Sequence, residues 1–226
     1  MKKTGSQVTI AIDGPAGSGK STVARRVAEK LRLLYLDSGA MYRAVTLLAL
    51  QEGLAADSPK LIDRVEACHI EFTDNGRTIL LNTEDVSAQI RTPAVNRLVA
   101  DVAKIPEIRR EIVKHQQRIG AEGRIIAEGR DLTTIVFPNA DFKFYLDASV
   151  TERAKRRLAE LQAQNEDATL AAVEAEIRER DEKDTTREHS PLQMAPDAIV
   201  VDTTDKTIEE VVDFLLTCVC ANEQQE

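Results

Sequence analysis

Gly14-Pro15-Ala16-Gly17-Ser18-Gly19-Lys20-Ser21 fits the phosphate-loop pattern G-x-x-x-x-G-K-[ST] without a mismatch. The neighbouring residues place it where such a loop works. Val8-Thr-Ile-Ala-Ile12 reads as a buried strand before it, and Thr22-Val-Ala-Arg-Arg-Val-Ala-Glu-Lys-Leu31 reads as a helix after it. Glycines let the backbone curl so that successive N–H groups point inward at phosphate oxygens. The helix N-terminus adds its partial positive charge. In this pattern the lysine reaches the β- and γ-phosphates of a nucleoside triphosphate and the next hydroxyl holds magnesium. Lys20 and Ser21 occupy those places. A glycine-rich turn without a ligand is the plain alternative, and strand, loop, Lys-Ser and helix occurring together weigh against it.

Reading outward, Leu33-Leu-Tyr-Leu36 is a second short strand that runs into Asp37-Ser-Gly39 and a helix from Ala40 to about Gln51. A βαβα start implies α/β architecture, a parallel sheet wrapped by helices. His69–Thr73 and Thr78–Asn82 alternate around the turn Asp74-Asn-Gly-Arg77, which predicts a β-hairpin. Hairpins are foreign to a purely parallel sheet, so this one belongs to an inserted lobe, roughly Asp57–Thr92. Helices are predicted over Pro93–Ala103, Glu107–Gly120, Val150–Gln164, Thr169–Asp181 and Ile208–Val219. Strands are predicted over Arg124–Ala127, Lys143–Leu146 and Ala198–Asp202. The tail Asn222–Glu226 reads as frayed.

Composition narrows the function classes. The 226 residues suffice for one α/β domain with a small inserted lobe, and 42% hydrophobic with 30% charged residues is ordinary for a soluble protein. No apolar run approaches the ~20 residues that span a bilayer, and no leader is visible at the start. A net charge of −8 argues against coating nucleic acid. Cys68, Cys218 and Cys220 have no metal-ligand spacing and read as reduced thiols of a cytoplasmic protein.

The arginines say more than the net charge. Phosphoryl transfer between two nucleotides brings together two highly negative groups and needs several cations converging on one point, with magnesium. Arg43 lies about one turn inside the helix that Ser38 could cap, where it meets a phosphate held near the cap or, equally, only solvent. Glu128-Gly129-Arg130-Asp131 ends an apolar strand, the edge of an open α/β sheet at which ligands bind. The Arg130 fork suits a phosphate. Asp131 suits a base amino group or an arginine to be oriented. Arg178–Arg187 is dense in both charges, and reads either as a solvated face or as a flap over a triphosphate.

The segments Gly14–Thr22, Leu36-Asp-Ser-Gly-Ala-Met-Tyr-Arg43, Gly129-Arg-Asp131 leading to Val136-Phe-Pro138, and Glu179-Arg-Asp-Glu-Lys-Asp-Thr-Thr-Arg187 followed by Ser190-Pro-Leu192 together resemble the bacterial cytidylate kinases, in that family's order, over about Val8 to Leu216. The resemblance implies transfer of the ATP γ-phosphoryl group to CMP or dCMP with Mg2+, by a soluble, monomeric class of enzyme that binds neither nucleic acid nor membrane. It also implies one kinase domain over 8–220. Its core would comprise about 8–56 and 121–220, with a nucleoside-monophosphate lobe over about 57–120 and a helical lid over about 153–187. By the same resemblance Gly14–Thr22 hold ATP, Ser38 and Arg43 face the monophosphate, and Arg109 reads cytosine together with Asp131. Arg130 and Arg187 grip the acceptor phosphate, Arg180 and Asp184 hold the sugar, and Arg153, Arg156 and Arg157 open the lid over ATP.

Three positions depart from the family pattern. Ala100 stands where serine is common, nine residues before the cytosine-reading arginine, so the preference for cytosine is expected to be looser or supported by Asp101. Glu128 stands for aspartate and Thr133 for glycine, both expected to be tolerated. Kinases of sugars or shikimate fit less well, because their acceptors carry no phosphate for the acceptor-side arginines. A guanine-nucleotide switch fits less well still, because Asn-Lys-x-Asp is absent.

Overall fold

The computed structural model describes residues 8–163 and 167–223. Its first half runs β1 (Thr9–Asp13), α1 (Lys20–Leu31), β2 (Leu34–Asp37), α2 (Ser38–Glu52), α3 (Pro59–Ala67), β3 (Ile70–Thr73), β4 (Thr78–Leu81), β5 (Glu84–Asp85), α4 (Pro93–Ala103) and α5 (Pro106–Gly120). The second half runs β6 (Ile125–Gly129), β7 (Phe142–Asp147), α6 (Val150–Ala163), α7 (Leu170–Thr186), β8 (Ile199–Asp202) and α8 (Ile208–Glu223). Gln164, the end of one expected helix, lies outside the described residues, as do residues 224–226 of the expected frayed tail; Asn222 and Glu223 belong to α8.

Five strands form a wholly parallel sheet in the order β2-β6-β1-β7-β8. All five residues of β1 are buried, as a central strand covered on both faces must be. Alternation then sorts its side chains. Ile10 and Ile12 pack with Val23, Val27, Val211 and Leu215 of α1 and α8, whereas Ala11 packs with Met41 and Val45 of α2 on the other face. Helix α2 is apolar nearly all round because it lies between the sheet and the α3–α5 layer, with ten of its residues buried.

The hairpin is present, β3 against β4 in antiparallel register Thr73↔Thr78, and a third strand, β5, extends it to three. Asp74 and Asn75 take positive φ at its turn, and Gly76 (φ +88°) presses onto β2: a Cβ there would lie 1.9 Å from the Tyr35 carbonyl oxygen. Four elements have no counterpart in the sequence reading. These are β5, helix α3 behind Ser58-Pro59, the 3-10 turn Gln89–Arg91 and the π-helical turn Leu132–Val136. Helices α6 and α7 pack on one another through Ala154, Leu161, Val173 and Ile177, a cluster separate from the two main cores.

Candidate active site

The carboxyl ends of β1, β2 and β6 open into one cavity of about 570 Å³. The phosphate loop forms one wall, with Ala16, Gly17, Gly19, Lys20, Ser21 and Thr22 on its surface. Gly14, Pro15 and Ser18 support it from behind. Gly14 (φ +149°) comes so near β7 that a Cβ would lie 2.0 Å from the Leu146 carbonyl oxygen. The carbonyl of Ser18 accepts from Thr203 Oγ1 at 3.1 Å. Lys20 is buried and folds back, donating to the Pro15 carbonyl at 2.6 Å and to Ser18 Oγ at 3.3 Å. Burial, helped by the charge of Arg130, lowers its pKa from 10.5 to about 7.

Ser21 Oγ donates to Glu128 Oε1 at 2.7 Å, and the Tyr35 hydroxyl reaches the same oxygen at 3.3 Å. This hydroxyl–carboxylate pair beside the phosphate loop is a set of hard oxygen donors, which suits magnesium. Glu128, longer by one methylene than the aspartate common in the family, is therefore in direct contact with the expected metal-holding serine.

At the other end of the cavity Arg109 and Asp131 form an ion pair, with side-chain exposures of only 4% and 3%. Arg109 also donates to the Ala103 carbonyl at 2.8 Å and lies over the Tyr42 ring, 5.2 Å from its centroid. Burial alone would lower the arginine's pKa, but Tyr42 and Asp131 outweigh it and raise it above the ordinary value. Between the two ends stand Arg130, Asp184, Arg180 and Arg187. Asp184 accepts from Arg130 Nε at 2.8 Å and lies 3.9 Å from Arg187. Arg187 donates from Nε to the Ser190 carbonyl at 2.5 Å, while its buried Nη2 has no partner among the described residues. Arg180 is exposed to the cavity yet walled by protein, and that burial together with Arg130 pushes it down to about 10. Arg43 borders the cavity near Gly39 and Asn96, with Nε 3.4 Å from Asn96 Oδ1.

Three expectations need correction. Asp37, not Ser38, caps α2: its Oδ1 accepts from the Ala40 N–H at 2.8 Å, and its Oδ2 from Arg91 at 2.7 Å. Burial alone would raise the pKa of Asp37, but Arg91 and Arg43 hold it below the ordinary carboxylate value. Arg153 is buried and fully engaged with the protein, at Ala148 O (2.9 Å), Ala16 O (3.1 Å) and Asp181 (2.7 Å), so it braces the phosphate loop instead of facing ATP. Of its neighbours only Arg157 lines the cavity, 2.9 Å from Glu160, while Arg156 binds the Thr203 carbonyl at 2.6 Å. Asp101 does not support the base site beside Ala100. Ala100 lines the cavity, and Asp101 pairs with Lys104 at 2.8 Å on the exposed face of α4.

The sequence reading also missed Asp13. It is completely buried and accepts from the N–H groups of Leu132 (3.0 Å) and Thr133 (2.7 Å) and from Thr133 Oγ1 (2.6 Å). Burial raises its pKa. Asp13 thereby ties the start of the phosphate loop to the turn that carries Arg130 and Asp131. Thr133, the departure from glycine, supplies one of those bonds. An ionisable residue at the end of an otherwise apolar strand was the available signal.

A family model described as cytidylate kinase matches residues 10–221. The chain belongs to the cytidylate kinase family. It is similar to a cytidylate kinase of Carboxydothermus hydrogenoformans, with 51% identity over 210 residues, 92% of this chain and 95% of that protein. It is also similar to one of Symbiobacterium thermophilum, with 46% identity over 214 residues, 93% of this chain and 95% of that protein. A crystal structure of an uncharacterised protein from Eubacterium ventriosum superposes with a TM-score of 0.53 at 10% identity, over 94% of this chain and 98% of that one; it bears on the fold alone. The family places this chain among kinases, and the cavity is the one in which the family's motifs converge.

Proposed function

We propose that the protein transfers the γ-phosphoryl group of ATP to CMP and dCMP, giving ADP and the corresponding diphosphate. The observation that carries this reading is the cavity itself. A phosphate loop forms one end, a buried Arg109–Asp131 pair forms the other, and Arg130 and Arg187 lie between them. Family membership supports the substrate class.

In this reading the loop amides and Lys20 hold the donor phosphates. Lys20 leaves the Pro15 carbonyl for the triphosphate, and its charge counts most as negative charge shifts in the transition state. Arg130 and Arg187 turn from Asp184 to the acceptor phosphate, Ser38 and Arg43 face its other oxygens, and Arg180 and Asp184 hold the sugar. Asp131 Oδ2 is held by Arg109, which leaves Oδ1 to accept from the cytosine amino group. Ser21 and Glu128 would hold Mg2+, which when bound with the nucleotide neutralises developing charge on the phosphates. Excluding water matters because the transferred group would otherwise hydrolyse. We assign that role to a lid over about 153–187, opposite a lobe over about 57–120.

The test is ADP release coupled to a chromogenic assay, with CMP, dCMP, UMP, AMP and shikimate offered separately. Release that requires CMP or dCMP is expected. Slow release independent of any acceptor would refute a kinase, and release with shikimate would move the protein to another acceptor class.

A further inference from the structure

Gln116 is 99% buried on α5, seven residues and about two turns after Arg109, so one face of that helix serves two parts of the acceptor site. Its Nε2 donates to Ser38 Oγ at 2.9 Å, while its Oε1 has no partner among the described residues. Ser38 is the first residue of α2, buried except toward the cavity it lines. The neighbouring position is Gly129, where any added Cβ would stand 3.2 Å from Ser38 Oγ and crowd the hydroxyl.

A serine hydroxyl has one proton to donate and two lone pairs. The Gln116 N–H occupies one lone pair, so the hydroxyl proton cannot point at Gln116. Among the described residues Ser38 Oγ donates to no acceptor, and the cavity it lines is left for that proton. Turning the amide over would let Oε1 take that proton, but it would leave a buried NH2 without an acceptor, which is rarer and costlier than an under-satisfied carbonyl. We propose that Gln116 is a positioning residue that aims the Ser38 O–H at the acceptor phosphate. The inference rests on the reading that Ser38 faces the phosphate of CMP. Gln116 touches no substrate; it acts through Ser38.

The polarity of the bond gives the test. Gln116→Glu keeps size and shape but replaces the donor by an acceptor, which draws the Ser38 proton away from the cavity. The KM for CMP is expected to rise roughly tenfold, the scale of one hydrogen bond to a charged group, with the KM for ATP unchanged. Gln116→Met, which neither donates nor accepts, is expected to raise it only two- to threefold, because the hydroxyl becomes free to rotate. In a Ser38→Ala background neither change should alter the KM for CMP further. The Gln116→Glu defect should also shrink as pH falls, relative to wild type at the same pH, because a protonated carboxyl donates again. Equal effects of Gln116→Glu and Gln116→Met, or effects that persist in Ser38→Ala, would overturn the inference and leave Gln116 as packing. Should Gln116→Glu not fold, the Gln116→Met and Ser38→Ala cycle decides alone. If Ser38→Ala itself leaves the KM for CMP unchanged in an active enzyme, the placement of Ser38 is refuted, independently of the Gln116 bond.

Discussion

Binding of ATP should take up a proton, and Lys20 is the group that takes it. In the ligand-free loop Lys20 is buried on the Pro15 carbonyl, and burial together with Arg130 lowers its pKa to about 7. A triphosphate brings several negative oxygens to the ammonium and raises the pKa back toward that of an ordinary lysine, ~10.4, or beyond. At pH 7 about half the free molecules carry an uncharged Lys20, and at pH 8 about nine in ten do. Uptake is therefore expected to be ~0.5 proton per ATP at pH 7 and ~0.9 at pH 8. Above pH 7 affinity should fall, by up to about tenfold per pH unit. Calorimetric titration with Mg-ATP in two buffers of contrasting ionisation enthalpy measures the uptake, and Lys20→Met provides the baseline for protons exchanged by the nucleotide and other groups. Identical baseline-corrected enthalpies in the two buffers at pH 8 would refute the argument. The same linkage acts on folding with a definite sign. An unfolded Lys20 holds its proton up to the ordinary lysine range, whereas the folded one loses it from about pH 7. The unfolded chain thus binds more protons in that window, and this residue's contribution makes the ligand-free protein more stable as pH rises through it.

Asp131→Asn should narrow the ratio of kcat/KM between CMP and UMP, expected at about 5- to 150-fold in the wild type, because an amide can present a donor to uracil; an unchanged ratio in both Asp131→Asn and Arg109→Ala would place base recognition elsewhere. Arg130→Ala and Arg187→Ala should each lower kcat by about 10²-fold or more, with binding of a fluorescent ATP analogue changed far less; equal losses in ATP binding would put these arginines on the donor side. Arg153→Ala removes three contacts around the phosphate loop. It should cost about 2 kcal/mol, allowing for the partial exposure of Asp181, and lower Tm by about 4–8 °C. Its KM for ATP should rise more than that for CMP.

The parallel sheet was legible because its strands are short apolar runs joined through helices of regular period, and the hairpin because Asp74-Asn-Gly lies between alternating residues. Strand β5 was not, since a two-residue exposed edge of Glu84 and Asp85 has no apolar pattern to read. Helix α3 does carry a signal, Ser58-Pro59 before Leu61 and Val65, but its nine residues give only two buried positions. The site divides the same way. The phosphate loop is contiguous, so its geometry follows from local rules. The partners of the arginines are distant in sequence: Asp37 with Arg91, Arg130 with Asp184, Arg153 with the Ala16 carbonyl. Sequence shows that an arginine is present but not which carboxylate or carbonyl it meets. That is why Arg153, three residues into α6 and close in sequence to the cavity-facing Arg157, was assigned to ATP while its guanidinium holds the Ala16 carbonyl.

Charge balance shows why so many of these arginines are already paired. Eight lysine and arginine side chains and six carboxylates line the cavity, a small positive excess in a chain of net charge −8. Eight unpaired cations in one walled cavity would repel one another, and Arg180, driven down to about 10 by burial and Arg130, already registers that strain. Asp184 and Asp131 relieve it by pairing with Arg130 and Arg109. In the proposed reaction an arriving phosphate competes with Asp184 for Arg130, whereas Arg187 keeps a buried Nη2 without a partner among the described residues, so net binding energy at Arg130 is the difference between two ion pairs. A single nucleotide can be held by that exchange. Under the proposed function two nucleotides together carry more negative charge than the excess can neutralise, so the divalent ion that Ser21 and Glu128 would hold, and the exposed Arg157, would be needed to complete the neutralisation. In this account the carboxylates of the cavity hold the empty site together and make full charge neutralisation conditional on both substrates being present.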